Sequence, residues 1–155
     1  MGGGGGSGRS LLGNTKDLEK KAREELRKGE RSNTFLCFDH DDIDEVNLLR
    51  AHAKNDKSEI EFIDHSVKEP INSKKAEYIK QRIAEHINRC SQTVVYVSDR
   101  TAQSDWVNWE IQKSLELGKK VIAVHKGDKP PKVLPDLIVK NKIKVVAWKD
   151  LAKNI

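Results

Sequence analysis

The sequence predicts an α/β domain on a doubly wound parallel sheet. Two observations carry this. Short runs rich in Val, Ile and Phe recur at Thr34–Phe38, Ile60–Ile63, Thr93–Val97, Val121–Val124 and Ile143–Ala147, and stretches of helical periodicity separate them. Strands made of continuous apolar residues, rather than alternating ones, belong to sheets covered on both faces, which is the parallel arrangement.

The elements follow in order. Met1 to Arg9, with glycines from Gly2 to Gly6, is low-complexity, and Asp17 to Lys28 is a charged helix former with Leu18, Ala22 and Leu26 spaced by four. Gly29 ends it, so residues 1–31 read as a Gly-rich tail and one amphipathic helix with a thin apolar stripe, and residues 32–155 as the domain. After the first strand, Asp42 and Glu45 form an acidic capping box for a helix carrying Ile43, Val46, Leu49 and Ala53. A loop with Glu69, Pro70 and Asn72 follows the second strand. Beyond it, Ala76, Ile79, Ile83, Ile87 and Cys90 mark one face of a helix. Ser104 or Asp105 caps the next helix, whose stripe is Val107, Ile111 and Leu115 and which stops at Gly118. Pro130, Pro131 and Pro135 predict an irregular crossing, and the tail from Lys149 a last short helix. The result is a flavodoxin-like five-stranded sheet.

Charge is distributed unevenly. Residues 1–31 hold eight basic and five acidic side chains, residues 32–118 eleven and sixteen, and residues 119–155 ten and three. The basic excess at the carboxyl end is interspersed with Asp and apolar residues, and no aromatic-basic alternation accompanies it, which argues against nucleic-acid binding. No apolar run approaches the ~20 residues of a membrane helix, and the amino terminus lacks the apolar core of a secretory signal. A cytoplasmic protein without membrane contact is expected. Cys37 and Cys90 form no CxxC pair and no metal-ligand spacing, so they read as buried thiols and no metal site is expected.

In such sheets ligands bind outside the carboxyl ends of the strands, here Phe38–Asp42, Asp64–Ser66, Ser98–Arg100 and His125–Gly127. Neither GxGxxG nor GxxxxGK[ST] is present, so a dinucleotide fold of the Rossmann type and a P-loop are both unsupported. The segment Ser104-Asp105-Trp106-Val107-Asn108-Trp109-Glu110-Ile111 is the sharpest signal. Trp106 and Glu110 lie four residues apart and share a helix face, which places Glu110 at the edge of the apolar stripe as a partly buried carboxylate.

Phe35-Leu36-Cys37-Phe38 resembles the opening strand of Toll/interleukin receptor (TIR) domains, with Cys37 where serine is common. Glu61-Phe62-Ile63-Asp64 is similar to the second strand of that family, Val67–Ser73 occupies the place of its BB loop, and Ser91–Ser98 resembles its third strand. Ser104–Ile111, continuing through Leu117 to Val124, resembles the helix and fourth strand that carry the catalytic glutamate of enzymatic TIR domains. The likeness covers residues 33 to about 150 and is greatest to stand-alone bacterial TIR-like proteins of the Thoeris anti-phage type. It implies cleavage of NAD at the nicotinamide-ribose bond, by hydrolysis or by cyclisation to a signalling nucleotide that a defence effector reads. No cofactor is implied, NAD being the substrate, and self-association through TIR surfaces is.

Chemistry supports a single carboxylate. Cleavage expels neutral nicotinamide and builds positive charge on the ribose, so a fixed anion stabilises the transition state. Glu110 is the candidate, with Phe38, Asp39, His40 and Trp106 as candidate substrate contacts. Two readings compete. A non-catalytic assembly adaptor would need no carboxylate chemistry, and a receiver domain would use Asp41 and Asp42, Asp99 and Lys149 for phosphoacceptor chemistry.

Overall fold

The computed structural model describes residues 16–22, 33–55, 61–64 and 67–155. The chain divides into two units, Met1–Arg31 and Ser32–Ile155. In the first, residues 16–22 are helical and Leu18 is exposed. The rest of the helix expected over Asp17–Lys28 lies outside the described residues.

The second unit holds strands β1 (Asn33–Cys37), β2 (Glu61–Asp64), β3 (Gln92–Tyr96), β4 (Lys120–His125) and β5 (Lys144–Ala147). All pairings are parallel, and the spatial order is β2-β1-β3-β4-β5. The chain winds outward from β1 in one direction to β2, then crosses back to β3 on the other side of β1. That reversal opens a crevice between the carboxyl ends of β1 and β3.

Among the described residues four α-helices connect the strands: α1 (Ile43–Asn55), α2 (Ala76–Arg89), α3 (Asp105–Glu116) and α4 (Asp136–Lys140). Alternation along the strands sorts the core into two layers, because successive side chains point to opposite faces. Phe35, Cys37, Val95, Val97 and Ala123 pack with Ile83 and Ile87 of α2, Val107 and Ile111 of α3 and Ile138 of α4. On the other face Leu36, Phe38, Val94, Tyr96, Ile122 and Val124 pack with Val46 of α1 and Leu151. Each fully buried isoleucine or valine contributes on the order of 1.5–3 kcal/mol of transfer free energy. Among the described residues no helix is long and apolar enough to cross a membrane.

Three local expectations are corrected. Asp42 and Glu45 do not form a capping box: Asp39 caps a 3₁₀ turn at His40–Asp42 by accepting from the Asp41 amide at 2.9 Å, while Glu45 accepts from the Tyr96 hydroxyl at 2.6 Å. The first helical bond is thus supplied three residues earlier, which frees both carboxylates for contacts to β3 and the loop beyond it. The proline-rich crossing ends in α4, a five-residue helix too short for periodicity to reveal, with Pro135 as the residue before its first turn. Two expected strands, Thr34–Phe38 and Thr93–Val97, each sit one residue earlier. At the end of α3, Gly118 adopts φ +71°, and the Lys119 amide reaches back to the Ser114 carbonyl at 2.9 Å, so the helix ends where a residue without Cβ permits the left-handed turn.

Candidate active site

α3 begins where its cap dictates. Ser104 is extended, and its hydroxyl accepts from the Val107 amide at 3.4 Å, while Asn108 donates to the Ala102 and Ser104 carbonyls at 3.2 and 2.9 Å. The first of these satisfies an amide that an uncapped helix start would leave unpaired, and the Asn108 bonds tie the helix to the turn before it. They also fix the rotation of α3 and hence the face that Trp106 and Glu110 share.

A cleft of about 530 Å³ opens beside that start. Phe38, Asp39 and His40 line it from the end of β1, Val67 to Ile71 from the loop before α2, and Gln103 to Trp106 from the start of α3. Four of the five sequence-predicted site residues, Phe38, Asp39, His40 and Trp106, therefore meet at one cleft. Phe38 offers it little surface, being 2% exposed and packed in the layer facing α1. His40 contributes Nδ1, which is buried with no hydrogen-bond partner among the described residues.

Glu110 does not line the cleft. The expectation of a partly buried carboxylate at the stripe's edge is corrected: Glu110 is 1% exposed, and its Oε2 has no hydrogen-bond partner among the described residues. The cause is tertiary. β1 passes against α3, bringing the Cys37 thiol beside the carboxyl group, and Cys37 Sγ also lies 3.8 Å from the Val107 carbonyl. One turn before Glu110, the Trp106 indole donates from Nε1 to the Glu69 carbonyl at 2.5 Å and meets the Trp109 ring edge-on at 6.0 Å. The loop before α2 is thereby latched to α3 on the cleft side of the carboxylate.

Burial governs the electrostatics. It pushes the Glu110 carboxyl well above its ordinary value of 4.5, and a hydrogen bond from Cys37 opposes this only partly. Burial likewise pushes the Cys37 thiol up, with the neighbouring Glu110 adding to the effect. Burial thus disfavours the charged form of Glu110. Its folded-state value exceeds its unfolded one, so the folded protein binds the extra proton, and stability falls as pH rises from about 4.5 toward the raised value. A Glu110→Gln variant lacks that component. Thermal or urea melts from pH 4 upward should show the wild type losing stability relative to the variant by at most about 1.4 kcal/mol per pH unit. Parallel curves would show that Glu110 is ionised in the folded state.

Between the first cleft and the exit of β3 stands a network that sequence reasoning did not assemble. Asp42 is 1% exposed, and its Oδ2 accepts from the Ser98 hydroxyl at 2.5 Å and its Oδ1 from Arg100 Nη1 at 2.6 Å. Asp42 is legible as one of an acidic run after β1, but nothing local points to Ser98 and Arg100 as its partners. Of the groups a receiver site would use, Asp42 is engaged by Ser98 and Arg100, Asp41 and Asp99 are exposed, and Lys149 lies 3.5 Å from Asp128 in an exposed pair. Among the described residues no group of three or more His, Cys, Asp or Glu is placed to hold a metal ion.

Residues 35–130 match the family described as Thoeris protein ThsB, TIR-like domain. The chain belongs to this family. A Bacillus cereus (strain MSX-D12) protein named "Putative cyclic ADP-D-ribose synthase ThsB1" is 32% identical over 95 residues, covering 59% of this chain and 50% of that protein. This TIR-like chain thus spans about half the length of the curated relative it matches. In the activated Roq1 resistosome directly recognizing the pathogen effector XopQ, the TIR domains align with 79% of this chain and 69% of their own, at a TM-score of 0.46 and 20% identity.

Proposed function

We propose that this TIR-like protein cleaves NAD at the nicotinamide-ribose bond and that Glu110 is the catalytic carboxylate. One observation carries the reading: a buried carboxyl group with an unpartnered oxygen stands one helical turn behind Trp106, which lines a cleft at the sheet's switch point. An orphaned buried acceptor is unfavourable by roughly 1–3 kcal/mol unless something uses it. The cleft's position and the name of the Bacillus relative support a nucleotide as the user.

The closed arrangement explains how such a group waits. Entry of the nicotinamide riboside end displaces the Trp106 indole from Glu69 and brings the pyridinium charge toward Glu110. An opposite charge at close range favours the ionised carboxylate, reversing the effect of burial. As the C1′–N bond breaks, its electron pair goes to the nicotinamide nitrogen and neutralises the ring, while the cation on the ribose is stabilised by the carboxylate in a site with little water. Attack by water completes hydrolysis; attack by a nucleophilic atom of the same molecule completes cyclisation. The relative's name favours cyclisation, and the cyclic product would act on a separate defence effector.

A second reading has its own observation. Glu110 as a neutral core acid fits a TIR module that only assembles with others. Incubating the purified protein with NAD and separating products by mass decides between them, because nicotinamide appears only in the first. Self-association adds a further expectation, since a neighbouring chain that closes the shallow cleft would exclude water and strengthen the attraction at Glu110. Specific activity should therefore fall on roughly a hundredfold dilution, as mass action requires. Substituting Lys68 and Glu69 by Ala should weaken that dependence without unfolding, because the Glu69 contact to Trp106 uses the backbone carbonyl. Constant specific activity would show that the monomer is complete.

A further inference from the structure

A second cleft, of about 690 Å³, opens between the exits of β3 and β4 on the far side of Asp42, Ser98 and Arg100 from the first. Its rim is basic. Lys126, Lys129 and Lys132 line it from the loop after β4, and Arg100 from the loop after β3. Two carboxylates line it: Glu45, which accepts from the Tyr96 hydroxyl at 2.6 Å, and Asp99, which is exposed and leaves the rim's cations in excess; Arg100 is held by Asp42 at 2.6 Å. Lys126, Lys129 and Lys132 are in none of the ion pairs found among the described residues.

Three ammonium groups over one concavity repel one another, and the backbone keeps them there. Gly127 takes φ +76°, which turns the chain directly after Lys126, and Pro130 and Pro131 stiffen the segment between Lys129 and Lys132. The floor is polar and ordered. His125, 5% exposed, presents its ring there with Nδ1 3.4 Å from the Lys126 carbonyl. Tyr96 is 1% exposed, and burial together with Glu45 pushes its phenol up, so it stays a protonated donor.

We propose that this second cleft binds a diphosphate anion, free or as part of a nucleotide. Lysines serve as point-charge partners for phosphate. A compact multivalent anion relieves the repulsion of three ammoniums at once, which a singly charged carboxylate does not. The volume lies within the range of small-ligand sites, roughly 300–1,000 Å³. Tyr96 is buried and already engaged, and His125 is 5% exposed, so the aromatic surface offered to a base is small and the phosphates carry the binding.

The test uses the full chain and inorganic pyrophosphate, titrated at constant ionic strength while the imidazole signals of the five histidines are followed by NMR. A saturable shift of His125, with His40 of the first cleft unmoved, is the expected result. Replacing Lys126, Lys129 and Lys132 by Ala should weaken binding by about tenfold or more without lowering the melting temperature. ADP should bind like pyrophosphate if the diphosphate alone is recognised, and more tightly if the natural ligand is a nucleotide; adenosine should not bind. The proposal is overturned by the absence of a saturable His125 shift, by unchanged affinity in the triple variant, or by a response centred on His40. The readout is binding, so failure of the Glu110 assignment would leave this result intact.

Discussion

Replacing Glu110 by glutamine should leave the domain folded and lower NAD cleavage by about 10²-fold or more, the usual loss when one preorganised electrostatic group is removed. The substitution is nearly isosteric. Since burial disfavours the charged form of the carboxyl, an uncharged amide suits the same surroundings, and at neutral pH the variant should be at least as stable as the wild type. Nicotinamide release and thermal melts on both proteins provide the measurement. A folded glutamine variant with wild-type turnover would sink the catalytic assignment and leave the assembly reading standing.

Trp106→Ala is expected to have the largest effect on stability. The indole is 8% exposed, packs in the layer with Cys37, Val107 and Ile111, meets Trp109, and spends its N–H on the Glu69 carbonyl. Truncating a buried aromatic costs about 3–5 kcal/mol, part of it for the cavity left behind. Trp106→Phe keeps a ring in place and removes mainly the hydrogen bond, worth roughly 0.5–1.5 kcal/mol net, so it should fall well short of the alanine variant. Urea denaturation midpoints on the three proteins give the ordering. If the alanine variant loses less than about 1 kcal/mol, the indole is not the packed latch described above.

These two expectations differ in how far the sequence foretold them. Trp106 and Glu110 were legible as a pair, because a four-residue separation behind a serine cap places both on one face of a helix, whatever that helix packs against. What surrounds the pair was not. Cys37 comes to Glu110 from 73 positions earlier, and the Glu69 carbonyl that holds Trp106 is a backbone group, which every residue carries and no sequence pattern distinguishes. Asp42 reads locally as a helix cap, because Ser98 and Arg100 lie more than fifty positions away.

The sequence by itself determined the alternation of strands and helices, the parallel sheet, the capped start of α3 and the placement of Phe38, Asp39 and His40 at the carboxyl end of β1. All of these follow from local periodicity, capping chemistry and the rule that parallel sheets gather their loops at one edge. Only the tertiary structure decided that Glu110 is buried with one oxygen unpartnered, and that the lysines after β4 share a cleft with His125. Burial and charge depend on which distant surfaces close over a group, and the chain's local pattern carries no record of that closure.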